Sequence, residues 1–172
     1  DQFILRAFSG FEPGGAPTFH LYIHGMYAYP LHWLNRLLPG FAWFSALEIA
    51  LLSLAMTTIL KSVLQCCQRA GQPLWAGLAL AFSFLTLYGL TYFARVTYTV
   101  TAAMLGAAAV AQTLSADCAN RTGGGVYRSM LYALLLVVLC YGLRQMAALP
   151  ALGYCAVAFL LQLLRHYGLG KA

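Results

Sequence analysis

Hydrophobic positions divide most of the chain into five long apolar runs, which follow a polar and turn-rich opening stretch. Each run is nearly free of charged residues and approaches the roughly 20 residues that an α-helix needs to cross a hydrocarbon core of about 30 Å. The runs cover residues 41–60, 74–93, 96–114, 130–143 and 150–164. The pattern predicts an all-α polytopic membrane helix bundle with about five transmembrane helices, spread over residues 41–172.

The opening region, residues 1–40, has a different pattern. Its first ten residues, DQFILRAFSG, place apolar side chains at helical intervals with Arg6 opposite them, which predicts a short helix at the membrane surface. Two prolines and two glycines make residues 11–18 a loop. Residues 17–38 are apolar but are interrupted by histidines, Arg36 and Pro30, so we expect a re-entrant or interfacial segment there. Residues 1–40 are therefore predicted to form a separate juxtamembrane region.

Composition supports the membrane assignment. Hydrophobic residues make up 62% of the chain and charged residues 8%, whereas a soluble domain carries about 25% charged residues. Ten Lys and Arg against four acids give a formal net charge of +6. In a membrane protein such an excess marks loops on the cytoplasmic side, so the charge predicts topology and not a nucleic-acid partner. The five cysteines form no C-x-x-C pair and are interpreted as small apolar residues.

The basic residues also predict an orientation. Residues 61–73, 117–129 and 165–172 hold two Lys or Arg each, and they fall on one side if the five spans alternate. The positive-inside rule places that side in the cytoplasm. The opening region then lies outside, together with the short turns that carry Arg95 and Arg144.

Several ionisable residues share this outer face. They are Asp1, His20, Arg36, Arg95 and Arg144, with Glu48 a little deeper in the first span. A carboxylate among arginines stays ionised and can act as a general base. Arginine guanidinium groups bind phosphate through forked hydrogen bonds, and an ionisable residue inside a span is a functional candidate by default.

Each of these residues also has a structural interpretation. Asp1 is also consistent with an ordinary helix N-cap, and Glu48 with an ion pair to a neighbouring arginine. The arginines are also consistent with anchors whose side chains reach the lipid headgroups. His20 and His24 have the i, i+4 spacing of a helical metal site, but without an HExxH motif they also fit plain interfacial histidines.

Several segments resemble bacterial membrane glycosyltransferases of the GT-C type, which use polyprenyl-phosphate-linked sugars. The segments are DQFILRAFSG, the P-x-x-H of Pro17 and His20, LNRLLPGFAWF, VTYTVTAAMLGAAAVAQTL and CYGLRQMAAL. In the subgroup they resemble, an Asp-Asp pair precedes a short amphipathic helix that ends in Ser-Gly. Asp1 corresponds to the second Asp, so we expect the first Asp and a first membrane helix just before Asp1. The chain departs from the pattern at Gln2, where an aromatic residue is commoner, and lacks an acid between Pro17 and His20.

The resemblance implies a sugar transfer outside a bacterial inner membrane, from a polyprenyl-phosphate donor to a cell-envelope glycan or glycolipid. It implies Asp1 as the catalytic base and Arg144, with Arg95 or Arg36, as the groups that bind the donor phosphate. We add His20 and Glu48 as candidate substrate-binding residues. The aromatic side chains of Trp43 and Tyr98 are candidates to stack on a sugar, although both also fit interface or packing aromatics.

No cofactor is firmly predicted, but the acidic residues of this face could recruit a divalent cation. The expected partners are the lipid-linked donor, the acceptor and membrane lipids. Two other functions remain open. A flippase or transporter for lipid-linked glycans would favour broken helices at the midplane and a continuous polar path. A non-catalytic membrane subunit would not need Asp1 for activity.

Overall fold

The computed structural model of the chain describes residues 25–94, 96–119 and 123–166. Six helices account for nearly all of them, and these residues contain no strand. The helices are α1 (Gly25–Leu37), α2 (Trp43–Arg69), α3 (Leu74–Ala94), α4 (Tyr98–Ala119), α5 (Gly123–Leu143) and α6 (Gln145–His166). The predicted all-α class is confirmed, whereas the predicted helix at 1–10 and loop at 11–18 lie outside the described residues.

Three helices are long and apolar enough to cross a membrane. They are α2, α3 and the part of α4 from Tyr98 to Ala116. This finding indicates a membrane protein, as the composition predicts. The apolar stretches of α5 and α6, counted over the residues whose side chains are described, are Tyr127–Leu143 and Gln145–Leu161. Both are shorter than the stretches of α2, α3 and α4, so the fourth and fifth membrane crossings stay predictions.

Helix α4 is the centre of the bundle, because it packs against α2, α5 and α6. Small residues make this position possible. Ala102, Ala108 and Ala109 are fully buried, and a Cβ atom added at Gly106 would lie 3.0 Å from the Cβ of Ala151 on α6. Small side chains let membrane helices approach closely, which strengthens packing where the lipid itself gives no hydrophobic driving force.

Interhelical hydrogen bonds fix the directions of the helices. The Ser115 hydroxyl donates to the Ser62 hydroxyl at 3.2 Å, which fits α2 and α4 running parallel. The Gln112 amide donates to the Ser129 hydroxyl at 2.7 Å, and the Cys140 thiol donates to the Ala102 carbonyl at 3.1 Å. Since Gln112 follows Ala102 whereas Ser129 precedes Cys140, α5 runs antiparallel to α4.

These directions bring the N-termini of α2, α4 and α6 to one end of the bundle. We call this end, defined by Trp43, Tyr98 and Arg144, the Arg144 end. Lys61, Arg69 and Arg128 lie towards the opposite end. The described helices therefore alternate in direction as the sequence predicts.

Three predicted loop boundaries were wrong. Helix α2 continues to Arg69, because residues 61–69 contain neither Gly nor Pro and Ser62 is buried in the bundle. The helix is followed by Gly71, whose φ of +67° suits glycine, and by Pro73. Helix α4 likewise continues to Ala119 and α5 begins at Gly123, so the predicted loop at 117–129 is much shorter. Helix α6 begins at Gln145 and includes Pro150 in its second turn, where the sequence predicts the start of the span.

Helix α1 is the described part of the predicted re-entrant or interfacial segment. Its 13 residues span about 20 Å, too little to cross a hydrocarbon core. The Tyr27 hydroxyl donates to the Leu139 carbonyl of α5 at 3.1 Å, and Gly142 gives the Tyr27 ring room, since a Cβ there would lie 2.7 Å from it. Burial, with the Cys140 thiol as a second cause, raises the pKa of the Tyr27 phenol. A separate juxtamembrane region ending at residue 40 stays a prediction.

Candidate functional site

Arg144 is the described cation that the fold holds most specifically. It is the one residue between α5 and α6, and its Nη1 donates a hydrogen bond to the Thr99 hydroxyl of α4. Its guanidinium carbon lies 5.8 Å from the centre of the Tyr98 ring, within the range of a cation–π interaction. Arg144 remains exposed. Two contacts thus orient a guanidinium group that is still available to a ligand.

Local capping explains why these residues meet. The Thr97 hydroxyl accepts the Val100 N–H at 3.3 Å and starts α4. The Arg144 carbonyl accepts the N–H groups of Ala147 and Ala148 and starts α6. Both helices therefore begin at the level where the Arg144 side chain lies.

The positive charge at the Arg144 end comes from its arginine. Helices α2, α4 and α6 begin at this end, whereas α3 and α5 end there. A helix N-terminus carries about half a positive charge and a C-terminus about half a negative one, so the helix dipoles largely offset each other. The exposed guanidinium group of Arg144 therefore makes phosphate binding favourable here.

Trp43 and Arg36 also lie at the Arg144 end. The Trp43 indole N–H donates to the Leu38 carbonyl at 3.3 Å, and its ring centre lies 4.5 Å from that of Phe41. The half-buried ring packs against the core, so its packing interpretation is supported while a role in stacking on a sugar stays a prediction. Arg36 is exposed in the last turn of α1.

Glu48 is turned away from this surface. Its side chain is 5% exposed and lies near the beginning of α2 in the core of the bundle. Its Oε1 atom has no hydrogen-bond partner among the described residues. The predicted contact between Glu48 and a substrate stays a prediction, and it would require access to the interior of the bundle.

Three predicted site residues, Asp1, His20 and Arg95, lie outside the described residues. The assignment of Asp1 as catalytic base therefore stays a prediction. Within the described part of the chain, no three His, Cys, Asp or Glu side chains form a group that could hold a metal ion.

Sequence reasoning missed two threonines. Thr99 accepts a hydrogen bond from Arg144, and Thr101 is fully buried with no hydrogen-bond partner for its hydroxyl among the described residues. Both properties depend on how the helices pack against each other. The alternation of Thr97, Thr99 and Thr101 at the start of α4 was the available signal, since residues two apart on a helix point to opposite sides. The sequence pattern had indicated a Thr- and Ala-rich packing helix without assigning a role to any single threonine.

Comparison with known proteins adds no family to this picture. A scan against family models, a search of curated proteins and a search of solved structures each found no match.

Proposed function

We propose that this protein is a GT-C-type glycosyltransferase of a bacterial inner membrane. It transfers a sugar from a polyprenyl-phosphate donor to a cell-envelope glycan or glycolipid, with the Arg144 end on the extracytoplasmic side. The observation that carries the proposal is the exposed Arg144 guanidinium, held by Thr99 and Tyr98 at the N-termini of α4 and α6. A lipid-linked phosphate presents its charge at the membrane surface, where an exposed guanidinium group at the end of a helix bundle can receive it.

In this mechanism Arg144 binds the donor phosphate and stabilises it as the leaving group. Negative charge grows on the phosphate oxygen as the bond between that oxygen and the sugar anomeric carbon breaks. A guanidinium group held by Thr99 and Tyr98 stabilises that charge with little reorganisation during the reaction. The contacts with Thr99 and Tyr98 reduce the side-chain entropy that Arg144 loses on binding.

The remaining roles follow the sequence predictions. Asp1 accepts the proton of the acceptor hydroxyl, which then attacks the anomeric carbon. Arg36 or Arg95 provides further positive charge for the donor phosphate. Tyr98 and Trp43 supply aromatic surface near the sugar.

The test uses the full chain in proteoliposomes with a set of polyprenyl-phosphate sugars, and release of polyprenyl phosphate is measured. We expect Arg144→Ala to lower turnover about 100-fold, the usual effect of removing one preorganised donor from developing negative charge. Asp1→Asn should lower it by about 100-fold or more. The matched control is Arg128→Ala, which removes an exposed arginine from the opposite end and should leave turnover within about twofold.

Unchanged turnover in Arg144→Ala would contradict the proposal. The same liposomes distinguish the transport alternative. If the wild type moved an intact lipid-linked glycan between leaflets without releasing polyprenyl phosphate, the protein would be a flippase and not a transferase.

A further inference from the structure

Helix α1 carries two apolar stripes on nearly opposite sides. The inner stripe is buried against the bundle and consists of Tyr27, Ala28 and Leu31. The outer stripe consists of Tyr29, Trp33 and Leu37, whose exposed fractions are 73%, 62% and 56%. At 3.6 residues per turn, the centres of the two stripes lie about 170° apart around the helix. The outer stripe therefore faces away from the bundle.

The polar side chains of α1 do not lie where a water-exposed helix would carry them. In such a helix the side opposite the buried face is polar. In α1 the exposed His32 and Arg36 lie one turn apart on one edge between the two stripes. The other edge carries Pro30 and Leu34, and Asn35 is half-buried on the side of the bundle. The helix is thus apolar on three sides, and its outer stripe is unsuited to bulk water.

Both ends of α1 lie at the Arg144 end. In its first turn, the Tyr27 hydroxyl donates to the carbonyl of Leu139, which precedes Arg144 by five residues. Directly after its last turn, the Leu38 carbonyl accepts the indole N–H of Trp43, the first residue of α2. Helix α2 is long enough to cross a membrane. A helix held at both ends beside the beginning of such a span runs along the boundary between lipid and water.

We propose that α1 docks on one leaflet of the lipid bilayer through its outer stripe. The stripe lies at the boundary between headgroups and acyl chains, where the amphipathic rings of Tyr and Trp are favourable. His32 and Arg36 face the headgroups, whose phosphates are complementary to the guanidinium charge. This inference does not depend on the proposed glycosyl transfer.

The order of residues in the outer stripe favours lipid over a protein partner. Measured around the helix from Arg36, the stripe residues lie at about 20°, 60° and 100°, in the order Tyr29, Trp33 and Leu37. With Arg36 at the headgroups, the amphipathic tyrosine lies nearest to the water and the fully apolar leucine lies deepest. A bilayer surface imposes this gradient of polarity with depth, whereas a protein partner does not require it.

The test measures which quenchers reach Trp33. The full chain is placed in phosphatidylcholine vesicles with the substitutions Trp43→Phe and Trp75→Phe, which leave Trp33 as the single tryptophan. We expect phosphatidylcholine brominated near the headgroup end of its acyl chains to lower Trp33 emission about twofold, because an interfacial helix buries its apolar side only about 5–10 Å deep. Acrylamide, which is dissolved in the water, should lower it much less.

The matched control moves the tryptophan to the neighbouring position. His32→Trp is combined with Trp33→Phe in the same background, which shifts the indole about 100° around α1 to the polar edge. Acrylamide should quench this variant more strongly than it quenches Trp33, and the brominated lipid should quench it less. The two variants therefore report the two sides of one helix.

Either of two results would overturn the proposal. If acrylamide quenched Trp33 as strongly as it quenches the His32→Trp variant, the outer stripe would face water. If neither acrylamide nor brominated lipid quenched Trp33, a protein such as a second copy of the chain would cover the stripe instead. Should Trp43→Phe fail to fold, the difference in emission between the wild type and Trp33→Phe under each quencher supplies the same Trp33 signal.

Discussion

Helices α3 and α4 are similar in length and apolar character but occupy opposite positions in the bundle. In α3, 17% of the residues of the most apolar stretch are buried, against 56% in α4. Helix α4 consists largely of Ala, Gly and Thr, whereas α3 carries large side chains such as Leu80, Phe82 and Leu87, all exposed. In a membrane, then, apolarity alone does not decide which helix is central. Small residues do, because they allow close packing between helices.

The difference extends to chemistry. The small residues of α4 leave room for polar contacts on several sides of the helix, such as Thr99 with Arg144 and Ser115 with Ser62. On α3 the Thr86 hydroxyl bonds to the Phe82 and Ser83 carbonyls of its own helix. The helix that forms the core therefore also positions the candidate site, while α3 presents its large side chains to the surroundings.

The largest expected effect comes from filling the core of α4. Ala108→Leu should lower the free energy of unfolding by about 3 kcal/mol, because Ala108 is fully buried in the core of the bundle and overpacking forces neighbouring helices apart. The matched substitution on α3, Ala79→Leu at an exposed position, should change it by less than about 0.5 kcal/mol. Reversible unfolding in mixed micelles measures both. Equal losses would show that α4 is no more central than α3.

A smaller change in the free energy of unfolding is expected from substitutions at the contact between α4 and α6. Gly106→Ala should cost about 1 kcal/mol, because its Cβ would lie 3.0 Å from that of Ala151. In Gly153→Ala the new Cβ meets no atom within 4 Å, so the better helix propensity of alanine should add up to about 1 kcal/mol. The same unfolding experiment compares them. A stabilising Gly106→Ala would refute the close approach of α4 and α6.

The smallest effect is expected from a polar contact within the bundle. A double-mutant cycle of Thr58→Val and Tyr132→Phe should give a coupling energy of about 0.6 kcal/mol, the average for such contacts in membranes. Thr86→Val on α3 paired with Tyr132→Phe serves as the uncoupled reference, with an expected energy near zero. A coupling energy near zero for Thr58 and Tyr132 would show that the folded protein does not make this contact.

Much of the fold could be predicted from the sequence, because helix length and apolarity are local properties. The five long helical segments and the shared end of Trp43, Tyr98 and Arg144 follow from hydrophobic runs and from alternation of direction. The exact ends of α2 and α4 could not be predicted, since polar residues such as Ser62 continue a helix when another helix gives them a partner.

The candidate site was predictable only in part. Arg144 could be placed from the charge pattern, but its contact with Thr99 depends on the register between α4 and α6, which no local pattern encodes. Glu48 could be identified as an unusual acid inside a span. Its burial in the core of the bundle follows from the packing of the helices, which the sequence alone does not reveal.

The most direct test of the central claim is the binding of polyprenyl phosphate to the wild type, Arg144→Ala and Arg128→Ala, each in nanodiscs of neutral lipid. If the Arg144 end binds the phosphate, Arg144→Ala should weaken binding about 10- to 100-fold, as expected for losing a hydrogen bond between charged groups. Arg128→Ala should match the wild type. Equal affinity of the wild type and Arg144→Ala would contradict the claim that this end of the bundle is a phosphate site.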